Sequence, residues 1–270
     1  MLTSLGEKIG EGAQADIHAW APGQVVKLYK AGSSRRLSRH EARMTRAVFA
    51  AGGPAPEVLD EVTLDGRFGI VLSRFDGPTL LQHYRSGAIT FAQAGVILAS
   101  LCMAVHKTPP PPEVLLLRDW IGILLQGSEG TLPKHFVTGI PALIERLPPG
   151  DGLCHVDPHP SNVIITANGP RLIDWVWTMR APAALDLAFC HIMLSEFAPR
   201  AVDDPERPRA VNRAVQSEYA RLAGISTTAL TAAMEPYLPV VCVFYLLVRA
   251  FPDQREWMIQ RVEAALRADT

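Results

Sequence analysis

The sequence predicts a two-lobe α+β fold, a small N-terminal lobe built on an antiparallel sheet followed by a larger, mainly helical C-terminal lobe. Three observations predict it. Short β-leaning segments broken by turn signals fill the chain up to about residue 75. Helical spacing of apolar residues dominates beyond that point. One further pair of apolar strands interrupts the helical half, between residues 152 and 174.

Residues 15–20 and 25–29 read as strands separated by Pro22-Gly23, with a further strand at 6–9. Residues 38–50 read as a helix stopped by Gly52-Gly53-Pro54. Residues 58–64 and 68–72 flank Asp65-Gly66, a strong hairpin signal. The character changes after Asp76-Gly77-Pro78, so the lobes are set at 1–75 and 76–270. Leu98, Leu101, Cys102 and Val105 share a face of a helix over 91–106. A proline run at 109–112 interrupts, and short helices are expected near 118–125 and 141–147. Residues 163–165 and 171–173 read as strands joined by a turn at Asn168-Gly169. From Pro182 onward the pattern is mostly helical, and no internal repeat is visible.

A chain of 270 residues is long for one core and comfortable for two lobes. With 48% hydrophobic residues, 20% charged residues and a net charge of −1, nothing points to a nucleic-acid or membrane-surface binder. Any charged site must be local. Cys102, Cys154, Cys190 and Cys242 lie far apart among apolar neighbours and read as reduced, buried thiols. Residues 1–12 lack a signal-peptide pattern. The most apolar run, 237–248, is short for a bilayer and ends at Arg249, so it reads as a buried core helix. A cytoplasmic location is expected.

The chemistry-bearing residues concentrate in the second strand pair. With Asn168 and Gly169 in the turn, Val163 faces Asp174, and Asn162 lies one step from Asp174 across the ladder. An amide oxygen beside a carboxylate is a hard-oxygen pair of the kind Mg²⁺ accepts. Asp157, on the loop before this strand, is placed to meet a substrate hydroxyl. Singly, each of these residues is an ordinary loop or strand-end residue. Jointly, H-x-D-x-x-x-x-N followed by a strand and an Asp is a specific pattern.

In the small lobe, Gly10 and Gly12 open a G-x-G-x-x-A run between two strands, where backbone N–H groups can approach phosphates. No Walker-type G-K-S/T follows. Lys27 alternates with Val26 and Leu28 and so faces away from them. Glu41 shares the mostly apolar face of its helix with Met44, Thr45 and Val48. A carboxylate there is costly unless paired, and Lys27 is the natural partner, its ammonium turned toward nucleotide phosphates.

This order of motifs resembles the protein-kinase-like superfamily, and more closely its aminoglycoside phosphotransferase and choline kinase branch. His155-Val156-Asp157-Pro158-His159-Pro160-Ser161-Asn162 is similar to that branch's H-G-D-x-H-P-x-N run, Leu172-Ile173-Asp174-Trp175 to its L-I-D-W, and Asp186-Leu187-Ala188 to its D-L-A. The resemblance implies ATP or GTP with Mg²⁺, and transfer of a phosphoryl group to a hydroxyl of a small molecule. That acceptor is an aminoglycoside-like antibiotic, an amino alcohol or a sugar. It implies Asp157 as catalytic base, Asn162 and Asp174 as metal ligands, Lys27 on the phosphates and Glu41 as its partner. It also implies an inter-lobe linker, from Leu72 through Ser73 and Arg74 to Phe75, whose backbone meets the nucleobase. Asp186 would brace the catalytic loop.

Two positions depart from the pattern. Val156 stands where the branch has glycine, disfavouring a turn that glycine permits, and Pro158 stiffens the loop. No H-R-D, A-P-E or Phe-Gly after Asp174 is present, which argues against a protein-kinase activation segment. The alternatives are a nucleotide-binding pseudokinase scaffold, which Val156 favours, and a protein kinase-like regulator. His155 is read as a packing residue and His106 as a core histidine. His159 is read as a loop brace, with a part in the chemistry as the other reading. Trp175 and Trp177 are placed on one strand face, as core or as an aromatic wall for substrate. The acidic residues Glu196, Asp203, Asp204 and Glu206 mix with Arg200, Arg207 and Arg209 and read as a solvated stretch.

Overall fold

The computed structural model describes residues 5–128, 130, 132–248 and 250–267. Residues 1–4 of the N-terminal stretch and Arg249 lie outside them. Strands β1 (Lys8–Glu11), β2 (Ala15–Ala19), β3 (Gln24–Tyr29), β4 (Val58–Leu64) and β5 (Arg67–Ser73) form an antiparallel sheet in the order β1-β2-β3-β5-β4. Helix α1 (Arg35–Ala50) separates β3 from β4. It starts earlier than its apolar pattern suggests because the Ser34 side chain accepts from Leu37 N and caps it. Strand β1 runs later than expected, and Gly10 sits inside it at a register shift. Asp65 and Gly66 both have positive φ, 49° and 76°, the geometry that a tight right-twisting hairpin requires.

The chain leaves the sheet through Gly77, whose φ is 147°. A Cβ there would sit 1.9 Å from the Ile165 carbonyl oxygen, so only glycine lets the crossing lie against the next hairpin. Helices α2 (Leu80–Arg85) and α3 (Phe91–Lys107) follow, each opened by a capping box, Thr79 with Gln82 and Thr90 with Gln93. Helix α4 (Leu117–Gln126) lies close to its expected place. Helix α5 (Lys134–Glu145) begins well before 141, and Pro141 lies in its interior rather than at its start. Proline is a start signal only when no helix already precedes it, and packing of Phe136, Ile140, Leu143 and Ile144 in the core holds this helix through the break.

Two short ladders interrupt the helices. Strand β6 (Leu153–Cys154) pairs with β9 (Met179–Arg180), and β7 (Val163–Thr166) pairs with β8 (Gly169–Leu172). The second ladder differs in register from the one the sequence suggests. Thr166 faces Gly169, so the turn residues are Ala167 and Asn168, and Val163 faces Leu172 rather than Asp174. The Thr166 side chain accepts from Asn168 N and donates to Gly169 O, which favours the shifted turn.

Helices α6 (Ala183–Ile192), α7 (Glu206–Ala223), α8 (Thr227–Met234), α9 (Leu238–Leu247) and α10 (Arg255–Arg267) complete the larger lobe. Its core takes residues from α3 to α10, with a smaller cluster of Ala15, Tyr29, Ala42 and Ile70 under the sheet. The apolar run at 237–248 belongs to a longer helical path, Thr227–Leu247, of 21 residues, long and apolar enough by length and composition to cross a membrane. Its α9 part is buried from Val240 to Leu246. All four cysteines are free and buried.

Candidate active site

Three charged residues distant in sequence meet in the cleft between the sheet and the helical lobe. Lys27 Nζ donates to Glu41 Oε1 at 2.7 Å and to Asp174 Oδ1 at 3.1 Å. Strand alternation puts Val26 and Leu28, both buried, on one sheet face and Lys27 on the other, toward α1. Helix periodicity turns Glu41 inward with Met44, Thr45 and Val48. Burial alone would lower the Lys27 pKa, but the carboxylates of Asp174 and Glu41 outweigh it and hold the ammonium above its ordinary value. Burial pushes the Glu41 carboxyl up, with Lys27 opposing. The second Glu41 oxygen accepts from the Tyr29 hydroxyl. Tyr29 was missed from the sequence, although it lies two residues beyond Lys27 on the same strand face. His40 was also missed. Its Nε2 lies 3.0 Å from the Val176 carbonyl and ties α1 to the segment after Asp174, with no sequence signal to announce it.

The loop after β6 carries Asp157. Asn162 Nδ2 donates to the Asp157 backbone oxygen at 3.0 Å and to its carboxylate at 3.2 Å. Ile173 N donates to Asn162 O at 2.9 Å. The corrected register therefore still leaves Asn162 one residue from Asp174 across the ladder. With its nitrogen turned to Asp157, the Asn162 amide has its oxygen left for another partner. That oxygen and the Asp174 carboxylate, whose side chain is 40% exposed, form a donor set that suits Mg²⁺.

The loop is held from behind by Asp186, which is fully buried. Its oxygens accept from His155 N at 2.8 Å and Val156 N at 2.6 Å. Its Oδ2 also meets His106 Nε2 at 3.1 Å, and His106 Nδ1 lies 2.7 Å from the Tyr219 hydroxyl. Val156 has φ of 78°, the left-handed region a β-branched residue avoids. A strained residue of this kind costs about 1–3 kcal/mol and persists only where its surroundings fix it. Here the Asp186 contact and a buried side chain do so.

His155 links the two halves of the site. Its Nδ1 accepts from Asp157 N at 3.2 Å, so Nε2 carries the proton and donates to Ile173 O at 3.0 Å. Burial lowers its pKa. His159 accepts from Ser161 N on Nδ1, which directs its Nε2 to Asp157 Oδ2 at 3.3 Å. Burial would raise the Asp157 pKa, yet His159 prevails and holds the carboxyl below its ordinary range.

The remaining residues divide. Gly10 and Gly12 lie on the β1–β2 hairpin, where Gly12 N donates to Ala15 O at 2.8 Å. At the linker, Ser73 N donates to Glu57 O and Arg74 N to Gly23 O, both at 2.9 Å. Phe75 N, unlike those two, has no backbone partner among the described residues. Trp175 and Trp177 do not share a strand face, because β8 ends at Leu172 and a turn follows. Trp175 is buried and donates to Leu172 O. Trp177 is half-buried and packs on Trp120 and Phe244. Within the acidic stretch Arg207 pairs with Asp204 and Arg209 with Glu206, both at 3.0 Å.

The profile of the phosphotransferase enzyme family matches residues 9–225. No curated protein matches the chain. Among solved structures, it resembles a thermostable variant of aminoglycoside phosphotransferase APH(4)-Ia bound to AMP-PNP and hygromycin B. Identity is 17%, coverage 98% of this chain and 93% of that one, and TM-score 0.60. ADP-bound aminoglycoside phosphotransferase APH(2'')-Ib matches at 17% identity, 97% and 92% coverage and TM-score 0.55. Choline kinase from Cryptosporidium parvum Iowa II matches at 14% identity, 98% and 88% coverage and TM-score 0.55.

Proposed function

The chain belongs to the phosphotransferase enzyme family, and from there we propose that it moves the γ-phosphoryl group of ATP to a hydroxyl of a small molecule. The observation that carries this reading is the meeting of Lys27, Glu41 and Asp174 beside the loop of Asp157 and Asn162. An ammonium fixed between two carboxylates is oriented for phosphate oxygens, and pre-oriented charge is what phosphoryl transfer asks of a protein.

In this reading residues 1–75 form the nucleotide lobe and 76–270 the catalytic and acceptor lobe. Gly10 and Gly12 cover the phosphates, and the backbone of Ser73 and Phe75 meets the base, Phe75 N being the available donor. Asn162 and Asp174 would hold Mg²⁺, which when bound neutralises charge on the phosphates. Lys27 steadies the α- and β-phosphates. Asp157, kept ionised by His159, accepts the proton of the attacking hydroxyl at its carboxylate. Four buried free thiols support a reducing, cytoplasmic setting.

The acceptor is an aminoglycoside-like antibiotic, an amino alcohol or a sugar. A coupled ADP-release screen across these classes, with ATP and GTP in parallel, tests the reading. Acceptor-dependent ADP release with one class supports it. Nucleotide turnover unaffected by every hydroxyl compound would point instead to a binding scaffold.

A further inference from the structure

Asp174 is held in an unusual backbone conformation. Its φ is 68°, in the left-handed region that is uncommon outside glycine. A residue of this kind persists only where its surroundings fix it. Before it, Ile173 N donates to Asn162 O at 2.9 Å, and Ile173 O accepts from His155 Nε2 at 3.0 Å. After it, Trp120 Nε1 donates to Thr178 O at 3.2 Å. These three partners belong to the larger lobe. A fourth does not: His40, on α1, meets Val176 O through Nε2 at 3.0 Å. A carbonyl oxygen only accepts, so Nε2 carries the proton. The His40 ring also stands edge-on to Trp120, with centroids 5.1 Å apart and planes at 87°. Two contacts with different elements therefore fix it.

The bond joins the two halves of the charged cluster. Lys27 and Glu41 lie in the small lobe, and Glu41 directly follows His40 on α1. Asp174 lies across the cleft and meets Lys27 at 3.1 Å. In the proposed reaction the phosphates draw on Lys27 and the metal on Asp174, so this direct pair gives way when the site fills. The bond from His40 to buried Val176 uses neither group and carries no charge. It is a link between the lobes that the nucleotide does not consume.

We propose that His40 is a positioning residue, holding the segment after Asp174 to α1 so that Asp174 stays in register with Lys27 and Glu41. Its effect on transfer rests on the phosphotransferase reading, while its hold on the segment does not. The test compares His40→Phe, which keeps a ring against Trp120 without the donor, with His40→Gln, which restores an N–H donor. In hydrogen–deuterium exchange of the full chain without nucleotide, residues 173–178 should exchange about tenfold faster in His40→Phe and within about threefold of the unaltered chain in His40→Gln. In acceptor-dependent ADP release, kcat should fall about tenfold in His40→Phe and recover in His40→Gln, with the acceptor KM unchanged in both. Unchanged exchange in His40→Phe overturns the proposal, as does a His40→Gln chain that exchanges as fast as His40→Phe. Faster exchange with an unchanged kcat overturns the positioning role. An unaltered chain that releases no ADP with any acceptor overturns the phosphotransferase reading instead, and the exchange comparison then decides whether His40 holds the segment. Should His40→Phe fail to fold, His40→Leu takes its place.

Discussion

Val156 offers a perturbation whose sign is opposite to ordinary expectation. It has φ of 78° and its side chain is 1% exposed. Val156→Ala removes two buried methyl groups, at roughly 0.8 kcal/mol each plus a cavity term, and keeps a side chain in the left-handed region. A loss of about 2 kcal/mol follows. Val156→Gly removes the same groups and the backbone strain with them. Where φ is negative, glycine is about 0.5–1 kcal/mol less stable than alanine. Where φ is positive the order reverses, and alanine becomes the worse residue by about 1 kcal/mol or more. The glycine variant should therefore be more stable than the alanine variant, by about 2–4 °C in Tm for each kcal/mol. Thermal unfolding of both variants by calorimetry reads this directly. Asp186 holds the backbone N–H of residue 156, which glycine keeps, so the glycine variant should retain its transfer rate. An alanine variant equal to or more stable than the glycine variant would refute the strained loop.

Other perturbations separate the roles within the site. Glu41→Gln leaves Lys27 only Asp174 and breaks a pair whose side chains are 12% and 4% exposed. It should cost about 3 kcal/mol in chemical denaturation and raise the KM for ATP, and a loss under about 1 kcal/mol with unchanged KM contradicts the pairing. Asp174→Ala should remove the Mg²⁺ dependence of nucleotide affinity in titration calorimetry, and an unchanged dependence counts against its ligand role. His159→Gln removes the group that holds the Asp157 carboxyl down against its burial, so the Asp157 pKa rises. The acid limb of kcat/KM against pH should then move to higher pH, and a limb that stays in place denies the coupling.

Much of this site was legible because its members obey local rules. Lys27 and Glu41 were paired from strand alternation and helix periodicity alone, both of which act over a few residues. The hairpin at Asp65-Gly66 follows from turn chemistry in the same way. The β7–β8 turn did not, because Asn168-Gly169 is a favoured turn pair while the Thr166 side chain bonds select Ala167-Asn168. Asn162 and Asp174 stay neighbours in either register, so the shifted turn does not separate them. The extent of α5 was hidden by Pro141, whose local signal yields to core packing. The β6–β9 ladder is two residues a side and has no period to detect. His40 and Tyr219 are tertiary facts, set by which elements meet rather than by any nearby residue.

In the proposed reaction Asp157 takes the hydroxyl proton while other residues hold the nucleotide. That role is tested most directly by Asp157→Ala, with acceptor-dependent ADP release and ATP affinity measured on the same preparation. The prediction is a fall of about 10²-fold or more in transfer with ATP affinity kept, the scale general-base removal commands. Full transfer activity in that variant would contradict the assignment.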